Sequence, residues 1–143
     1  MSDTLNEAST PTPAAELGDA VMLLAATDRR RLSLGSVMVW VWPAIRLRQI
    51  HFLRDAEGRV LGYCTWAFLR PETADLLFGE AGEAPDLDDW NAGPDLWLID
   101  VVAPFGQVRS LLRDARLRLV ATASSVHARR GARRFHRTLG APR

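Results

Sequence analysis

Apolar and polar positions alternate along the chain with two periods, and the switches between them mark the elements. Thr12 suits an N-cap with Pro13 at the first helical position, and Leu17, Ala20, Val21 and Leu24 recur at helical spacing. Arg29, Arg30 and Arg31 fall at or beyond the end of that helix, where cations meet the negative end of its dipole. Leu34–Trp42 is largely apolar and β-branched in part, and periodicity leaves open a strand or a short buried helix. Arg46–Leu53 and Val60–Leu69 are expected to form a β-hairpin turned by Asp55-Ala56-Glu57-Gly58. Pro71-Glu72-Thr73 opens a short helix, and Gly79–Gly93 is an acidic loop.

Leu96–Val102 is the next strand, followed by the tight loop Ala103-Pro104-Phe105-Gly106 and an amphipathic helix over Val108–Leu119. Val120–Val126 is a further candidate strand before an arginine-rich end. Three parts are therefore expected: a disordered tail over 1–13, a domain over 14–126 and an arginine-rich tail over 127–143. Strands outnumber helices and neighbours pair mostly as hairpins, which points to an α+β fold.

Within Leu96–Val102, alternation puts Leu96, Leu98, Asp100 and Val102 on one face and Trp97, Ile99 and Val101 on the other. Asp100 is the one charge in this apolar strand. A buried carboxylate must be paired, hydrogen-bonded or protonated. It is either a structural ion pair or a group that orients or deprotonates a reactant. The following loop leads into a helix N-terminus near Phe105, Gly106 and Gln107, whose backbone N–H groups suit a phosphate or an oxyanion.

Charge is unevenly spread. The net charge is +1, but ten arginines and a single acid, Asp114, lie between Arg109 and Arg143, while nine acids and no base lie between Glu72 and Asp100. The two halves either pair or leave a basic face for an acidic partner. Every one of the 18 basic residues is arginine. Genome composition accounts for that; so would an enzyme that acts on lysines and offers none of its own.

Cys64 is the sole cysteine, so no internal disulfide or cysteine metal site forms. His51, His127 and His136 show no metal-ligand spacing, and no metal is expected. No apolar run is long enough to cross a bilayer, and the N-terminus lacks the pattern of a signal peptide. A cytoplasmic protein without stable membrane insertion is expected. The basic end lacks the interleaved aromatics of a nucleic-acid module, so no nucleic acid is expected as a partner.

Five blocks then carry a resemblance: Pro43-Ala44-Ile45; Gln49; Tyr63-Cys64-Thr65-Trp66-Ala67 with Leu69; Trp90-x-x-Gly93; and Trp97-x-x-Asp100-x-x-Ala103-Pro104-Phe105-Gly106. In order and spacing, from about Leu17 to Leu119, the chain resembles the toxin-activating lysine-acyltransferases of repeats-in-toxin (RTX) systems. The resemblance implies a GNAT-like fold, a mixed and mostly antiparallel sheet flanked by helices, and a homodimer. It implies transfer of a fatty acyl group from acyl carrier protein to internal lysine ε-amines of an RTX protoxin, with no bound cofactor. It also implies a catalytic histidine and aspartate, with an asparagine nearby.

Asp100 matches the aspartate. The histidine position falls at Arg30 counted from Leu17 and at Arg29 counted back from Pro43, and the asparagine position is Trp40. Arginine cannot act as a base near neutral pH, and indole is only a donor. His51 is the candidate substitute base, unless it is an ordinary half-exposed sheet residue. A degenerate, non-catalytic member that binds carrier protein or toxin is the alternative.

Overall fold

Thr12 Oγ1 accepts the N–H of Ala15, and Pro13 opens α1 (Pro13–Ala25), as the capping pattern predicts. The computed structural model describes residues 10–130 and 132–140; of the disordered tail expected over 1–13, residues 1–9 lie outside the described residues, while Thr12 caps α1 and Pro13 belongs to it. The apolar stretch left open in the sequence becomes two short helices, α2 (Leu34–Trp40) and α3 (Trp42–Arg46). Ser33 caps the first by accepting from Ser36 N–H, and Pro43 sits in the first turn of the second. Because α3 runs to Arg46, the next strand starts later than expected, as β1 (Ile50–Arg54). Arg48 reverses the chain between them with φ 59°, and its guanidinium pairs with Glu16, which α1 buries.

β2 (Val60–Leu69), α4 (Pro71–Leu77), β3 (Asp95–Val102) and α5 (Val108–Leu119) follow, with a 3-10 turn at Leu87–Asp89. With β4 (Ser125–Arg130) and β5 (Arg133–Thr138), the sheet order is β1-β2-β3-β4-β5. Three neighbouring pairs are antiparallel, while β3 and β4 run parallel, joined by the α5 crossover. The fold is α+β with a mixed, mostly antiparallel sheet flanked by helices. Among the described residues no helix is long and apolar enough to cross a membrane.

Each sheet face builds its own core. On the first face, Tyr63, Ala67, Leu69, Trp97 and Val102 pack against Ala20, Leu23 and Leu24 of α1 and against α2 and α3. On the second, Cys64, Trp66 and Leu96 meet Leu111, Ala115 and Leu119 of α5. Burying each such aliphatic side chain contributes about 1.5–3 kcal/mol.

Two expectations need correction. Pairing runs Thr65↔Asp100 and then Trp66↔Leu98, so Ile99 is an extra residue, a β-bulge. The bulge breaks the alternation: Val101 joins Leu96 and Leu98 on the second face, while Val102 lies with Trp97 and Ile99 on the first. Asp100 moves to the first face, opposite Thr65.

The second correction concerns the arginine-rich end. Residues 120–124 turn rather than extend, with the N–H of both Thr122 and Ala123 bonded to Leu119 O. The tail expected from residue 127 is, over its described part, a hairpin of β4 (Ser125–Arg130) and β5 (Arg133–Thr138). Val126 and Leu139 anchor it in the second core, and on the first face His127 stacks on Trp97 with centroids 4.9 Å apart. The acidic middle touches it at Asp75–Arg134 (3.2 Å) and Asp95–His127 (3.9 Å).

One backbone crossing sets a steric test. A Cβ on Gly93 would lie 1.8 Å from Leu69 C and 2.0 Å from Arg70 N. Gly93→Ala is therefore expected to cost at least ~3 kcal/mol in urea unfolding, through forced backbone displacement. Gly18→Ala, with open space around its Cβ in α1, should instead stabilise by about 0.5–1 kcal/mol.

Candidate functional site

The bulge turns Asp100 toward the loop that leaves α1. There Arg29 donates to it through both terminal nitrogens, Nη1 to Oδ2 at 2.7 Å and Nη2 to Oδ1 at 3.0 Å. Val101 N–H also donates to Oδ1 at 2.9 Å. The side chains of Arg29 and Asp100 are 42% and 24% exposed, so the pair sits at a mouth rather than in the core. Burial acts to lower the Arg29 pKa, but hydrogen bonding and the charge of Asp100 outweigh it, so the pKa is raised. Arg29 is a permanent donor here.

Below the pair lie two hydroxyls. Tyr63 and Thr65 are two apart on β2, share the first face and are fully buried. Neither hydroxyl has a hydrogen-bond partner among the described residues. Burial pushes the Tyr63 phenol up, the Asp100 charge adds to this, and Arg29 opposes it. Tyr63 is thus a hydrogen-bond donor and not a base. The site presents one carboxylate, able to hold an ammonium group, beside a cationic donor and buried hydroxyls. These hydroxyls were not singled out from sequence, although period-two spacing from Tyr63 to Thr65, carried across to Asp100, is the signal that finds them.

The remaining candidates scatter. Of the two positions matched to the expected histidine, Arg29 faces Asp100, whereas Arg30 is exposed in a turn with its N–H on Thr27 O. Trp40, at the expected asparagine, is partly buried against the first core. His51 pairs across the strands with Cys64, which places it on the second face; its Nε2 lies 2.7 Å from Asp114 Oδ2 of α5. The sheet separates it from Asp100.

In the loop after β3, Gly106 has φ 83° and its N–H is bonded to Ala103 O, so that amide is engaged in the turn. Gln107 starts α5 without a side-chain cap, and Phe105 is exposed. Phe105 also borders a depression of about 370 Å³ lined with Met22, Leu23 and Val60. Trp66, Trp90 and Trp97 are core residues, at most 4% exposed. Burial pushes the Cys64 thiol up to about 12, which leaves it inert as a nucleophile at neutral pH. No group of three or more His, Cys, Asp or Glu side chains among the described residues is placed to hold a metal ion.

Two measurements follow from these geometries. Arg29→Ala should lower stability by about 1–2 kcal/mol, less than breaking a fully buried pair, because both side chains are partly solvated. A cycle with Asp100→Asn should return a coupling energy near ~1 kcal/mol. The pKa of His127 is lowered, chiefly by burial, with His136 and Arg134 adding to this and Asp95 opposing it. Its protonation therefore favours the unfolded chain. Unfolding free energy should fall as pH drops through about 6.5 and below, and His127→Gln should flatten that slope.

The chain can now be set beside known proteins. Residues 10–138 match the family model described as the RTX toxin acyltransferase family. The lysine-acyltransferase RtxC of Vibrio cholerae is 32% identical over 102 residues, covering 69% of this chain and 65% of that protein. The RTX-II toxin-activating lysine-acyltransferase ApxIIC of Actinobacillus pleuropneumoniae is 37% identical over 103 residues, covering 71% of this chain and 63% of that protein. The protein-lysine myristoyltransferase RtxC of Kingella kingae is 36% identical over 76 residues, covering 53% and 44%. The chain thus spans less than two thirds of the length of these curated relatives. With the family match over residues 10–138, the conclusion is that this chain belongs to the RTX toxin acyltransferase family.

Proposed function

We propose that the chain is a protein-lysine acyltransferase with a GNAT-like fold, which moves a fatty acyl group from acyl carrier protein to internal lysines of an RTX-type protoxin in the cytoplasm. The observation that carries this reading is the partly exposed Asp100 carboxylate where β3 passes into the Ala103–Gly106 loop and α5. An incoming lysine ammonium finds its counter-charge at Asp100. The amine is neutral when it attacks, its proton having passed by way of Asp100 to water. Its nitrogen bonds to the thioester carbonyl carbon, Arg29 and the start of α5 stabilise the oxyanion, and the C–S bond then breaks. The thiolate leaves on the carrier and takes up the proton that the attacking nitrogen loses as the amide forms. The depression at Met22, Leu23, Val60 and Phe105, which Asp19, Arg54 and Arg59 also line, offers room for an acyl chain. A chain without lysine presents no lysine side chain of its own as a competing acceptor.

A second reading has its own observation. Arg29 occupies both oxygens of Asp100 and stands where a base is expected, which suits a non-catalytic member that binds carrier or toxin. Co-expression with an RTX-type protoxin, followed by mass spectrometry of its lysines, separates the two. Catalysis predicts acylated lysines, at least a ~100-fold loss in Asp100→Ala from removal of a transition-state partner, and retained or increased turnover in Arg29→His. Unmodified lysines with carrier-bound chains of every length would leave the binding reading.

A further inference from the structure

Two polar side chains of β2 are left without a structural task. Tyr63 and Thr65 are wholly buried on the first face, the one that carries Ala67, Leu69 and Val102, and neither hydroxyl meets a partner among the described residues. A buried hydroxyl without a hydrogen bond opposes folding, and phenylalanine or valine would fill the same space without that cost. Packing gives no reason for either oxygen.

Register places both beside the carboxylate. Thr65 pairs directly with Asp100 across the β2–β3 ladder, which sets their Cβ atoms about 4.5–5.5 Å apart. Tyr63, two residues along and paired with Val102, is the diagonal neighbour of Asp100, at a separation that an aromatic side chain spans. Phe52, its partner on β1, packs on the ring with centroids 5.9 Å apart. The phenol responds to the charges of both Asp100 and Arg29, so it lies within electrostatic reach of the pair.

An ionised carboxylate offers about four acceptor sites. Arg29 fills one on each oxygen and Val101 N–H a second on Oδ1, which leaves one on Oδ2. Three oxygens with acceptor capacity therefore neighbour one another on the first face: Asp100 Oδ2, Thr65 Oγ1 and Tyr63 Oη. An ammonium carries three N–H donors as a tripod on a compact charge, whereas a guanidinium is a flat fork that matches the two oxygens of a carboxylate. Arg29 illustrates the fork, since it neutralises Asp100 and leaves both hydroxyls unbonded. An anion would be repelled by Asp100.

We propose that Asp100, Thr65 and Tyr63 form a binding pocket for a primary ammonium, that of the acceptor lysine, and that Arg29 stands in for this cation in the free protein and yields Oδ2 when the lysine arrives. The lysine's role as acyl acceptor rests on the acyltransferase reading; the preference for an ammonium rests on the three oxygens. Arg29 can yield because its side chain is 42% exposed and lies in a turn, while Tyr63 and Thr65 are held in the ladder.

Tyr63 is the only tyrosine of the chain, so isotope-labelled tyrosine gives a single NMR reporter inside the pocket. Titrating the full chain with Nα-acetyl-lysine N-methylamide should move that signal saturably, and the norleucine and arginine counterparts should bind about tenfold more weakly. Thr65→Val should weaken the lysine response about threefold, the loss of one hydrogen bond. Asp100→Asn should abolish it, and Arg29→Ala, which removes the resident cation, should strengthen it. In the protoxin acylation assay, Tyr63→Phe and Thr65→Val should each raise the acceptor KM about threefold or more and leave the donor KM unchanged. Both variants should melt no lower than the parent, because the hydroxyls they lose have no partner. A tyrosine signal that lysine does not move, or that arginine moves equally well, overturns the proposal. So does a drop in melting temperature that parallels the loss of activity. If lysine binds through the two hydroxyls yet no protoxin lysine is acylated, the pocket stands and the catalytic reading falls. If acylation proceeds with an unchanged acceptor KM in both hydroxyl variants, the catalytic reading stands and the pocket falls.

Discussion

The bidentate pair between Arg29 and Asp100 ties the turn after α1 to β3 at the mouth of the site. One partner leaves the end of α1, and the other sits on a central strand of the sheet. It exists because Ile99 is one residue too many in the β2–β3 ladder. Without that bulge, simple alternation would aim Asp100 into the α5 core, where an apolar surround would charge several kcal/mol for an unpaired carboxylate. The same offset lets Tyr63 and Thr65 share a face with the carboxylate. Local irregularity in one ladder thus decides which side of the sheet can do polar chemistry.

Arginine at this position also changes what the site can be. A histidine beside a carboxylate can gain and lose a proton near neutrality, whereas a guanidinium held by that carboxylate cannot. Arg29 is a fixed positive charge at this mouth. The family match covers residues 10–138, and so takes in both Arg29 and Asp100.

The sequence made some of this legible and hid the rest for physical reasons. β2 and α5 have the bounds that their periodicity indicates, because each pairs a clean pattern with a punctuating turn, Gly58 before one and Gly106 before the other. Asp100 stood out as a charge in an apolar strand, but its face did not, since a bulge between apolar residues leaves no trace in composition. The β4–β5 hairpin was hidden because its strands carry arginines where apolar alternation is sought. Its support on the first face is a ring stack on Trp97, some thirty residues earlier in the chain. His51 could not be separated from Asp100 without β1's register, which places it over Asp114. The choice between Arg29 and Arg30 needed the geometry of the α1–α2 turn.

The single register pair between β3 and β4, Trp97↔His127, has a further consequence. Val126, Leu139, the rings and guanidinium on Trp97 and the ion pairs of His127 and Arg134 hold the hairpin to the rest of the molecule. Such a unit can detach at a free-energy cost below that of global unfolding, and its amides would exchange with solvent ahead of those in β2. A ligand that grips only the attached form adds its binding energy to that of the hairpin's closure. Order in residues 125–138 thereby becomes a measure of whether such a ligand is bound.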